Sequence, residues 1–514
     1  MTFRQSNSQK YALISVFDKT GLVELAKNFK KRDVAIIATG ATASHLEQNK
    51  IKVIPIEKIT KMPESFDGRV KTISFQIAGG ILFERGNRLH QKQAQEQHVP
   101  SINFVVCNFY PFWKNPGIDL IDVGGPTMVR AAAKNYKNVT VLVSPADYES
   151  VSKEIADNGN TSAQRRKMLA SKAFSYVADY DVIIAKYFQN ETNGEDLLIS
   201  HKNGKKLRYG ENAHQRGMFF KSSETEDNLG LGKFSVLQGK EISFNNYLDL
   251  DACVQAISLI GTKKPACVIL KHTNPCGAAV ATTIEEAFRK TWYDGDPLAA
   301  FGGVIVMNRQ VTKKLAEEML ADKKFFEIVA APGFSKDARK VFSRKPKLQL
   351  LENKILQKPY LTSYKDIRKV RGGFLVQDAD TYVLKKNRFS FVTKKKPTPK
   401  QIDDLLFAWK ICQVSKSNSV VAVKNNVLLA SGVGQQDRKR CCELCVNKAI
   451  HPLTGAVAAT DGFFPFRDGP DVLIKAGIKA IIQPGGSIRD QETIDACNEA
   501  NVSMVFTGVR AFKH

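Results

Sequence analysis

Short strand-like runs alternate with helix signals through the first third of the chain, and this alternation limits the folds open to it. The run YALISVF at 11–17 is rich in β-branched and aromatic residues, and the next segment, DKTGLVELAKNF, has a capping-type Asp and apolar residues at helical spacing. The change recurs at 34–39, 104–109 and 139–143, with the helical patterns GATASHLEQN and PTMVRAAAKNY between these runs. Strands alternating with helices predict a parallel sheet covered by helices, which is an α/β fold.

The second part of the chain combines its elements differently. A polar stretch at 189–206 begins with the composition of a linker, and apolar runs such as PACVILK and FGGVIVMN then appear beside helical segments. Two stretches, 284–308 and 403–434, each pair a helix pattern with a glycine-bearing strand pattern. This similarity predicts a duplicated unit, although no short fixed period is visible.

Positive charge is concentrated in one segment. The 514 residues include 76 Lys and Arg against 51 Asp and Glu, a formal charge of +25. Residues 301–400 contain 24 basic and 9 acidic residues, so 24 − 9 gives +15 there. Phe389 and Phe391 lie in this segment, and basic residues with interleaved aromatics are typical of single-stranded nucleic-acid binding. A solvated lysine-rich face explains the same composition, and we favour it because no nucleic-acid motif accompanies the segment.

The sequence gives no sign of secretion or of membrane insertion. The polar start, MTFRQSNSQK, precedes no apolar signal run, and no stretch reaches the ~18 apolar residues of a membrane span. The nine cysteines are scattered, which is typical of reduced thiols rather than of a disulfide framework. A hydrophobic content of 43% excludes a disordered chain. We therefore expect a cytoplasmic globular protein with no membrane partner.

Two strand-to-helix transitions in the first part have the residue types of a phosphate site. ISVFDKTG and ATGATAS place small and hydroxyl residues where unpaired backbone N–H groups and a helix dipole attract anions. Ordinary helix capping by Thr and Gly is the alternative interpretation. The candidate phosphate ligands are Ser15, Lys19, Thr39, Gly40 and Thr42.

Further polar side chains follow in the first part. DGRVKT places Arg69, Lys71 and Thr72 together, which suits a phosphate or carboxamide oxygen but is also common in surface turns. Tyr110 follows an apolar strand pattern in NFYPF, and IDVGGPTMVRAAAKN contains Asp122 before a Gly-Gly turn and Lys134 on the next helix. A carboxylate beside a glycine turn is most often structural, so these residues alone do not decide a function.

The second part contains a comparable set of polar strings. LKHTNPCG places Lys271 and His272 at the end of a predicted strand, and strand ends in α/β sheets are where ligands bind. RYGENAHQ contains Arg208 and Tyr209, and SGVGQQDR, TDGFFPFRD, QPGGSIRD and FTGVRAF are glycine-flanked polar strings at predicted strand ends. CCELC at 441–445 has no second ligand pair at the spacing of a zinc finger, so we expect no metal site there.

In this order and spacing, the strings resemble one family, the bifunctional AICAR formyltransferase/IMP cyclohydrolases of purine biosynthesis. The resemblance extends from SVFDKTGLVELAKN to MVFTGVRAF and includes KSNSV and FFEIVAAPGF. It implies a methylglyoxal-synthase-like cyclohydrolase domain at 1–195. It also implies a formyltransferase domain at 200–514, made of two cytidine-deaminase-like α/β subdomains without the deaminase zinc. A homodimer with formyltransferase sites across the interface is implied as well, with small-molecule substrates and no nucleic-acid partner.

The resemblance also implies roles for individual residues in formyl transfer. The 5-amino group of AICAR would attack the formyl carbon of 10-formyltetrahydrofolate, the co-substrate, with no catalytic metal. His272 matches the general base, Lys271 supplies positive charge beside it, and Asn418 matches the amide that holds the formyl oxygen. The residues that match nucleotide, aminoimidazole or folate contacts are Arg208, Tyr209, Phe463, Asp468, Arg510 and Phe512.

In the second reaction, the carboxamide nitrogen of formyl-AICAR closes onto the formyl carbon and water leaves. This step needs orientation more than a strong nucleophile. Lys71 and Lys134 match residues that would stabilise the oxyanion, and Tyr110 and Asp122 match residues that would move protons. Ser15, Lys19, Thr39, Gly40 and Thr42 match the phosphate cradle, with Arg69 and Thr72 as further substrate contacts.

The chain departs from the family pattern at four places. Residues 74–78 replace a His-Pro pair and a second His, the loop after Phe112 is short, Gly40-Ala41 replaces Gly-Gly, and Ala511 replaces a His. Three of these changes lie in the cyclohydrolase half. The sequence therefore leaves two alternatives to the intact bifunctional enzyme: a formyltransferase with a weakened cyclohydrolase, and, more remotely, an RNA-binding protein that uses residues 301–400.

Overall fold

A computed structural model describes residues 9–63, 65–66, 69–192, 194–201, 204–221 and 227–514. The chain divides into two compact units, Met1–Lys202 and Asn203–His514. Each unit has its own sheet and its own hydrophobic core, so the two are described separately.

The first unit is a five-stranded parallel sheet covered by helices, which confirms the predicted α/β fold. The strand order is β3-β2-β1-β4-β5, and every neighbouring pair is parallel. The strands are β1 (Lys10–Val16), β2 (Val34–Ala38), β3 (Ile54–Pro55), β4 (Ile102–Asn108) and β5 (Thr140–Leu142). The helices are α1 (Leu22–Lys31), α2 (Gly40–Gln48), α3 (Glu57–Thr60), α4 (Phe75–Leu82), α5 (Arg88–Glu96), α6 (Gly124–Lys134), α7 (Tyr148–Asn158) and α8 (Ala163–Thr192).

The central strands are apolar runs in the sequence because their side chains are buried. In β1 and β4, Leu13, Ile14, Val105 and Val106 are fully buried, as expected for strands covered by helices on both faces. Because β1, β2 and β4 are parallel neighbours, their carboxyl ends meet at one edge of the sheet, where ligands bind in such folds. Helix α8 continues to Thr192, so the start of the stretch expected to be a linker is helical.

The second unit is built on one mixed sheet of twelve strands, in the order β16-β21-β20-β19-β17-β18-β10-β9-β11-β12-β13-β8. Its strands are β6 (Lys205–Lys206), β7 (Met218–Phe219), β8 (Ser235–Gln238), β9 (Ala266–Lys271), β10 (Asn274–Val280), β11 (Gly303–Met307), β12 (Phe326–Ala331), β13 (Gln349–Glu352), β14 (Lys365–Val370), β15 (Gly373–Asp378), β16 (Ser390–Phe391), β17 (Val420–Lys424), β18 (Val427–Gly432), β19 (Val457–Thr460), β20 (Ala480–Gln483) and β21 (Ser503–Phe506). Strands β6 and β7, and β14 and β15, form separate two-stranded hairpins.

The helices of the second unit follow the same repetition as its strands. They are α9 (Phe244–Ile260), α10 (Ile284–Tyr293), α11 (Pro297–Ala300), α12 (Lys313–Leu320), α13 (Lys336–Phe342), α14 (Pro399–Val414), α15 (Arg438–Lys448), α16 (Asp468–Lys475) and α17 (Asp490–Glu499). In each half an edge strand, β8 or β16, is followed by a long helix and an antiparallel hairpin, as α9-β9-β10 and as α14-β17-β18. Three helix-to-strand steps then follow in each half, giving the mutually parallel strands β11, β12 and β13 and the mutually parallel strands β19, β20 and β21. Strands β10 and β18 join the halves.

The duplication is therefore present, but the pairing of segments expected from the sequence was wrong. Residues 284–308 begin at α10, which corresponds to α15, whereas residues 403–434 begin within α14, which corresponds to α9. The two stretches look alike because each has a helix followed by buried strand residues. The hairpin return of the chain after β17 distinguishes them, and it is absent after β11.

Candidate active sites

The edge of the five-stranded sheet brings several predicted phosphate ligands together. The Ser15 hydroxyl lies 3.2 Å from the Thr39 hydroxyl, at the ends of β1 and β2. Thr39 precedes α2 without capping it through its side chain. A Cβ atom placed on Gly40, the first residue of α2, would lie 3.9 Å from Lys71 Nζ, which brings an ammonium group beside the helix N-terminus. Hydroxyls, a helix N-terminus and a cation together suit a phosphate.

Two other predicted ligands are placed differently. Thr42 is buried, and its hydroxyl donates to Val16 O at 3.2 Å and accepts from Val16 N at 3.1 Å. This hydroxyl fixes α2 to β1 and is already occupied, so it supports the cradle rather than facing a ligand. Lys19 is half-buried, and its ammonium group donates to Phe17 O at 3.4 Å.

Asn108 is a residue of this edge that the sequence analysis missed. It is buried at the end of β4, and its Oδ1 accepts from the N–H groups of Phe17 and Asp18, both at 2.8 Å. Its Nδ2 donates to Asp18 O at 3.0 Å. Asn108 thus holds the loop after β1 that carries Lys19. The contact joins residues about ninety positions apart, so no local sequence signal marks it.

Asp122 lies two residues before the start of α6, in an environment suited to proton transfer. Its Oδ1 accepts from Gly125 N at 2.8 Å, and its own N–H donates to Tyr180 Oη at 2.8 Å. Burial raises the pKa of the Asp122 carboxyl, and the hydrogen bond from Gly125 partly opposes this shift. A carboxyl with a raised pKa exchanges protons more readily near neutral pH. Tyr180, on α8, is a second residue that the sequence analysis missed.

Thr72, Tyr110 and Arg69 have different surroundings in the first unit. The Thr72 hydroxyl lies against Gly124, where a Cβ would approach it to 2.5 Å. Tyr110 is 52% exposed and packs edge-on against Phe17, with ring centroids 5.5 Å apart. Arg69 forms an exposed ion pair of 2.8 Å with Asp119, a contact that contributes little to stability. The remainder of DGRVKT, at 67–68, lies outside the described residues.

Lys134 lies at the opposite end of α6 from Asp122. It is the last residue of α6, whereas Gly124 is the first, and ten residues of helix span ~15 Å. Lys134 instead lines a cavity with Arg130, Lys167 and Phe174. The structure therefore separates Lys134 from Asp122 and Thr72, which lie at the N-terminus of α6.

The segment that departs from the family pattern, residues 74–78, forms a regular helix start. Ser74 caps α4, and its hydroxyl accepts from Ile77 N at 3.2 Å. At the other end of α4, Arg85 and Asn135 donate to its last carbonyl groups, including Gly80 O and Ile81 O at 2.7 Å each. The substituted residues thus retain a helix held at both ends.

In the second unit, His272 lies at the tip of a hairpin turn. β9 ends at Lys271, the turn residues His272 and Thr273 have φ angles of 53° and 61°, and β10 begins at Asn274. Non-glycine residues adopt this left-handed conformation at a cost, so the turn needs external support. The buried carboxylate of Asp249 on α9 provides it by accepting from Thr273 N at 2.6 Å. Lys271 Nζ donates to Phe301 O at 2.9 Å.

The other half of the unit contains the same hairpin turn held by a buried carboxylate, but without a histidine in the turn. Asn425 and Asn426 form the turn between β17 and β18, with φ angles of 55° and 57°. The buried carboxylate of Asp404 accepts from their N–H groups at 3.0 and 2.6 Å. Asp404 is the sixth residue of α14, as Asp249 is the sixth of α9. Burial raises the pKa of both carboxyls, and the hydrogen bonds from the turns oppose this shift.

Asn418 is oriented by a buried ion pair. Arg438 Nη2 donates to Asn418 Oδ1 at 2.7 Å, while Arg438 Nη1 binds the fully buried Asp461 carboxylate. Asn418 Nδ2 donates to Gln436 O at 3.1 Å. An amide NH2 group has two donor hydrogens, so the second N–H has no protein acceptor within the described part of the chain. This hydrogen is available for a substrate oxygen.

The remaining predicted contacts of the second unit lie near its surface. Phe463 and Phe512 are each 44% exposed, and Phe512 lies against Gly462, beside the Arg438 guanidinium. Arg510 stacks over the Phe512 ring at 4.9 Å, and Arg208 over the Tyr209 ring at 5.5 Å. Asp468 is half-buried at the first position of α16. Ala511 is buried, and its N–H donates to Asp461 O at 2.9 Å.

The thiols of CCELC lie on α15 and are buried, with the pKa of Cys441 and of Cys445 raised to about 12 by that burial. Among the described residues, no group of three His, Cys, Asp or Glu side chains is placed to hold a metal ion. In the basic segment, Phe389 packs against the core of the second unit, which makes it a poor stacking platform. No helix in the described ranges is both long and apolar enough to cross a bilayer.

Comparison with protein families gives two matches that together extend from residue 21 to residue 448. The model of the AICARFT/IMPCHase bienzyme matches residues 132–448, and that of the MGS-like domain matches residues 21–134. The first match alone includes more than half of the chain. The chain belongs to the AICARFT/IMPCHase bienzyme family.

Curated relatives support this membership over nearly the whole length. The bifunctional purine biosynthesis protein PurH of Clostridium botulinum (strain Loch Maree) is 45% identical, and that of Caldicellulosiruptor saccharolyticus is 42% identical. Each alignment includes 98% of this chain and 100% of the relative. A crystal structure of ForH is 31% identical and matches 35% of this chain and 100% of its own, with a TM-score of 0.33 that supports no structural inference.

Proposed function

We propose that this bifunctional enzyme catalyses the last two steps of purine (IMP) biosynthesis and divides them between its two units. The first step transfers a formyl group from 10-formyltetrahydrofolate to AICAR, and the second closes formyl-AICAR to IMP with loss of water. The assignment rests on membership of the bienzyme family, together with two separate clusters of polar side chains. We assign ring closure to residues 1–195 and formyl transfer to residues 200–514.

Formyl transfer uses the turn at His272 and the amide of Asn418. His272 accepts the proton that the 5-amino group of AICAR loses as it attacks the formyl carbon. The free N–H of Asn418 donates to the formyl oxygen as it becomes an oxyanion, and the buried Arg438 keeps this N–H pointing outward. Lys271 adds positive charge beside the base. The observation that carries this assignment is the fixed orientation of the Asn418 amide.

Arginine and aromatic side chains of the second unit bind the two substrates. Arg208 and Arg510, each stacked on a ring, contact the nucleotide phosphate of AICAR together with Tyr209. The exposed rings of Phe463 and Phe512 stack on the heterocycles, and Asp468 accepts a hydrogen bond from one of them.

Ring closure uses the edge of the five-stranded sheet. Ser15, Thr39 and the N-terminus of α2 bind the phosphate, and Lys71 stabilises the oxyanion that forms when the carboxamide nitrogen attacks. Asp122, whose pKa is raised, exchanges the protons that accompany loss of water. Tyr110 and Thr72 line the same region, with Lys19, Thr42 and Arg69 as more remote members.

The decisive experiment separates the two activities by mutation. His272→Ala should abolish formyl transfer and leave cyclisation of added formyl-AICAR intact, whereas Lys71→Met should do the reverse. Equal loss of both activities in either variant contradicts the division. Accumulation of formyl-AICAR by the wild-type enzyme, without IMP, would instead support a formyltransferase whose cyclohydrolase is weakened by the changes at 74–78.

A homodimer is part of the proposal. The hairpin of β14 and β15 exposes Phe374, Leu375 and Val376 by 52%, 62% and 44%, and neighbouring exposed apolar side chains mark interaction surfaces. Sedimentation equilibrium should give twice the chain mass at micromolar concentration. A monomer at that concentration contradicts this part of the proposal.

A further inference from the structure

One side chain joins the hairpin turn of His272 to the loop that carries Asn418. Asn274 Nδ2 donates to His272 O at 3.0 Å, and Asn274 Oδ1 accepts from Lys416 N at 3.0 Å. Only one of the two orientations of the amide satisfies both partners, because a flip would face donor to donor and acceptor to acceptor. Both hydrogen bonds thus fix the same rotamer of Asn274.

The contact connects the two halves of the second unit. Asn274 opens β10 in the first half, whereas Lys416 lies 142 residues later, two residues before Asn418. A second crossing lies beside it, where the buried Ser431 hydroxyl of β18 donates to Pro275 O at 3.0 Å. The catalytic base and the amide donor are therefore carried by different halves, and Asn274 bridges them.

We infer that Asn274 is a positioning residue that sets the separation of His272 and Asn418 for formyl transfer. This inference rests on the proposed formyltransferase function. The base must meet the amino group of one substrate while the amide meets the formyl oxygen of the other. Displacement of either group by ~1 Å costs on the order of a hundredfold in rate. Asn274 acts through the backbone at His272 and Lys416 rather than by touching a substrate.

The test compares Asn274→Ala with a matched control, Asn353→Ala. Asn353 lies in the same half and also donates once, to Asn228 O at 2.7 Å, and accepts once, from Ile355 N at 3.0 Å. Both variants should lose similar thermal stability. Only Asn274→Ala should lower kcat for formyl transfer, by about tenfold, while KM for both substrates stays within about twofold. An equal kcat loss in the control, or an unchanged kcat in Asn274→Ala, overturns the inference.

A double-mutant cycle tests whether the effect passes through Asn418. Asn274→Ala should lower kcat much less in an Asn418→Ala background than in the wild type, because the group being positioned is already missing. Fully additive losses overturn the inference. If Asn274→Ala does not fold, Asn274→Asp serves instead, since it keeps an acceptor for Lys416 N and replaces the donor to His272 O with a carboxylate oxygen that repels this carbonyl.

Hydrogen exchange separates failure of this inference from failure of the proposed function. The Lys416 N–H should exchange slowly in the wild type and faster in Asn274→Ala, with no change in Asn353→Ala. If the wild type shows no formyl transfer but this exchange pattern holds, the proposed function fails while the bridge stands. Unchanged exchange of Lys416 in Asn274→Ala shows that the bridge itself is absent.

Discussion

The two hairpin turns of the second unit allow a controlled test of how His272 is held. Asp249→Ala removes the carboxylate that accepts from Thr273 N at 2.6 Å, and Asp404→Ala removes the one that accepts from Asn425 N and Asn426 N at 3.0 and 2.6 Å. A hydrogen bond to a charged group contributes about 1.5–3 kcal/mol. Burial of each carboxyl opposes this gain, as the raised pKa values show, so we expect a net loss of about 1–2 kcal/mol in each variant.

The two variants should differ in activity although they resemble each other in stability. The left-handed backbone at His272 and Thr273 costs about 1–2 kcal/mol per residue, and without Asp249 the turn relaxes and displaces the imidazole. At 1.4 kcal/mol per tenfold, the loss of about 1–2 kcal/mol of support from Asp249 corresponds to a fall in formyl transfer of about 5- to 30-fold. Formyl transfer by Asp404→Ala should stay within about twofold of wild type.

The assay follows formation of tetrahydrofolate at saturating AICAR, with urea unfolding of each variant measured alongside. Cyclisation of added formyl-AICAR is the internal control, because we assign it to the other unit. The reasoning is refuted if Asp249→Ala keeps wild-type kcat despite its loss of stability. It is also refuted if Asp404→Ala loses formyl transfer to the same extent.

Three further predictions concern other parts of the two sites. Lys71→Met should lower cyclisation far more than Lys134→Met, because ~15 Å of helix separates Lys134 from Asp122, and equal losses contradict this placement. Asp122→Asn should slow cyclisation and raise the free energy of unfolding at neutral pH. The pKa of Asp122 is raised in the folded protein, so its contribution to wild-type stability is fully present below the unfolded pKa of about 3.9 and is lost as pH rises toward the folded pKa. The gain in free energy of unfolding of Asp122→Asn over the wild type, measured by urea unfolding, should therefore vanish near pH 3. Arg438→Met should cost about 3–5 kcal/mol by leaving a buried carboxylate unpaired, and should reduce formyl transfer by freeing the Asn418 amide, with cyclisation as the unaffected reference.

Periodicity in the sequence predicted the five-stranded unit well. Strands such as β4 (Ile102–Asn108) are nearly continuous apolar runs because helices cover both faces of a parallel sheet, and the polar residues after them therefore mark the edge where ligands bind in such folds. Thr42 shows the limit of this reasoning. A hydroxyl at a helix start can bind either a phosphate or a backbone group. Only the position of β1 beside α2 in the fold shows that the Thr42 hydroxyl binds the backbone of Val16.

The second unit was harder to predict because its site depends on long-range contacts. The pattern LKHTNPCG correctly placed His272 after a strand. The same motif does not reveal the antiparallel pairing of β9 with β10, the left-handed turn or the carboxylate of Asp249, which lies more than twenty residues earlier on α9. In the sequence, Arg438 was recognisable only as the last residue of the glycine-flanked motif SGVGQQDR, because its partner Asp461 is close to it only in the folded protein.

The most direct test of the central claim measures both products in one coupled assay. Wild-type enzyme, AICAR and 10-formyltetrahydrofolate should give IMP, with tetrahydrofolate formed in equal amount. His272→Ala should give neither product from AICAR and still convert added formyl-AICAR to IMP. Absence of folate-dependent turnover in the wild type, or loss of cyclisation in His272→Ala, would contradict the division of two activities between two units.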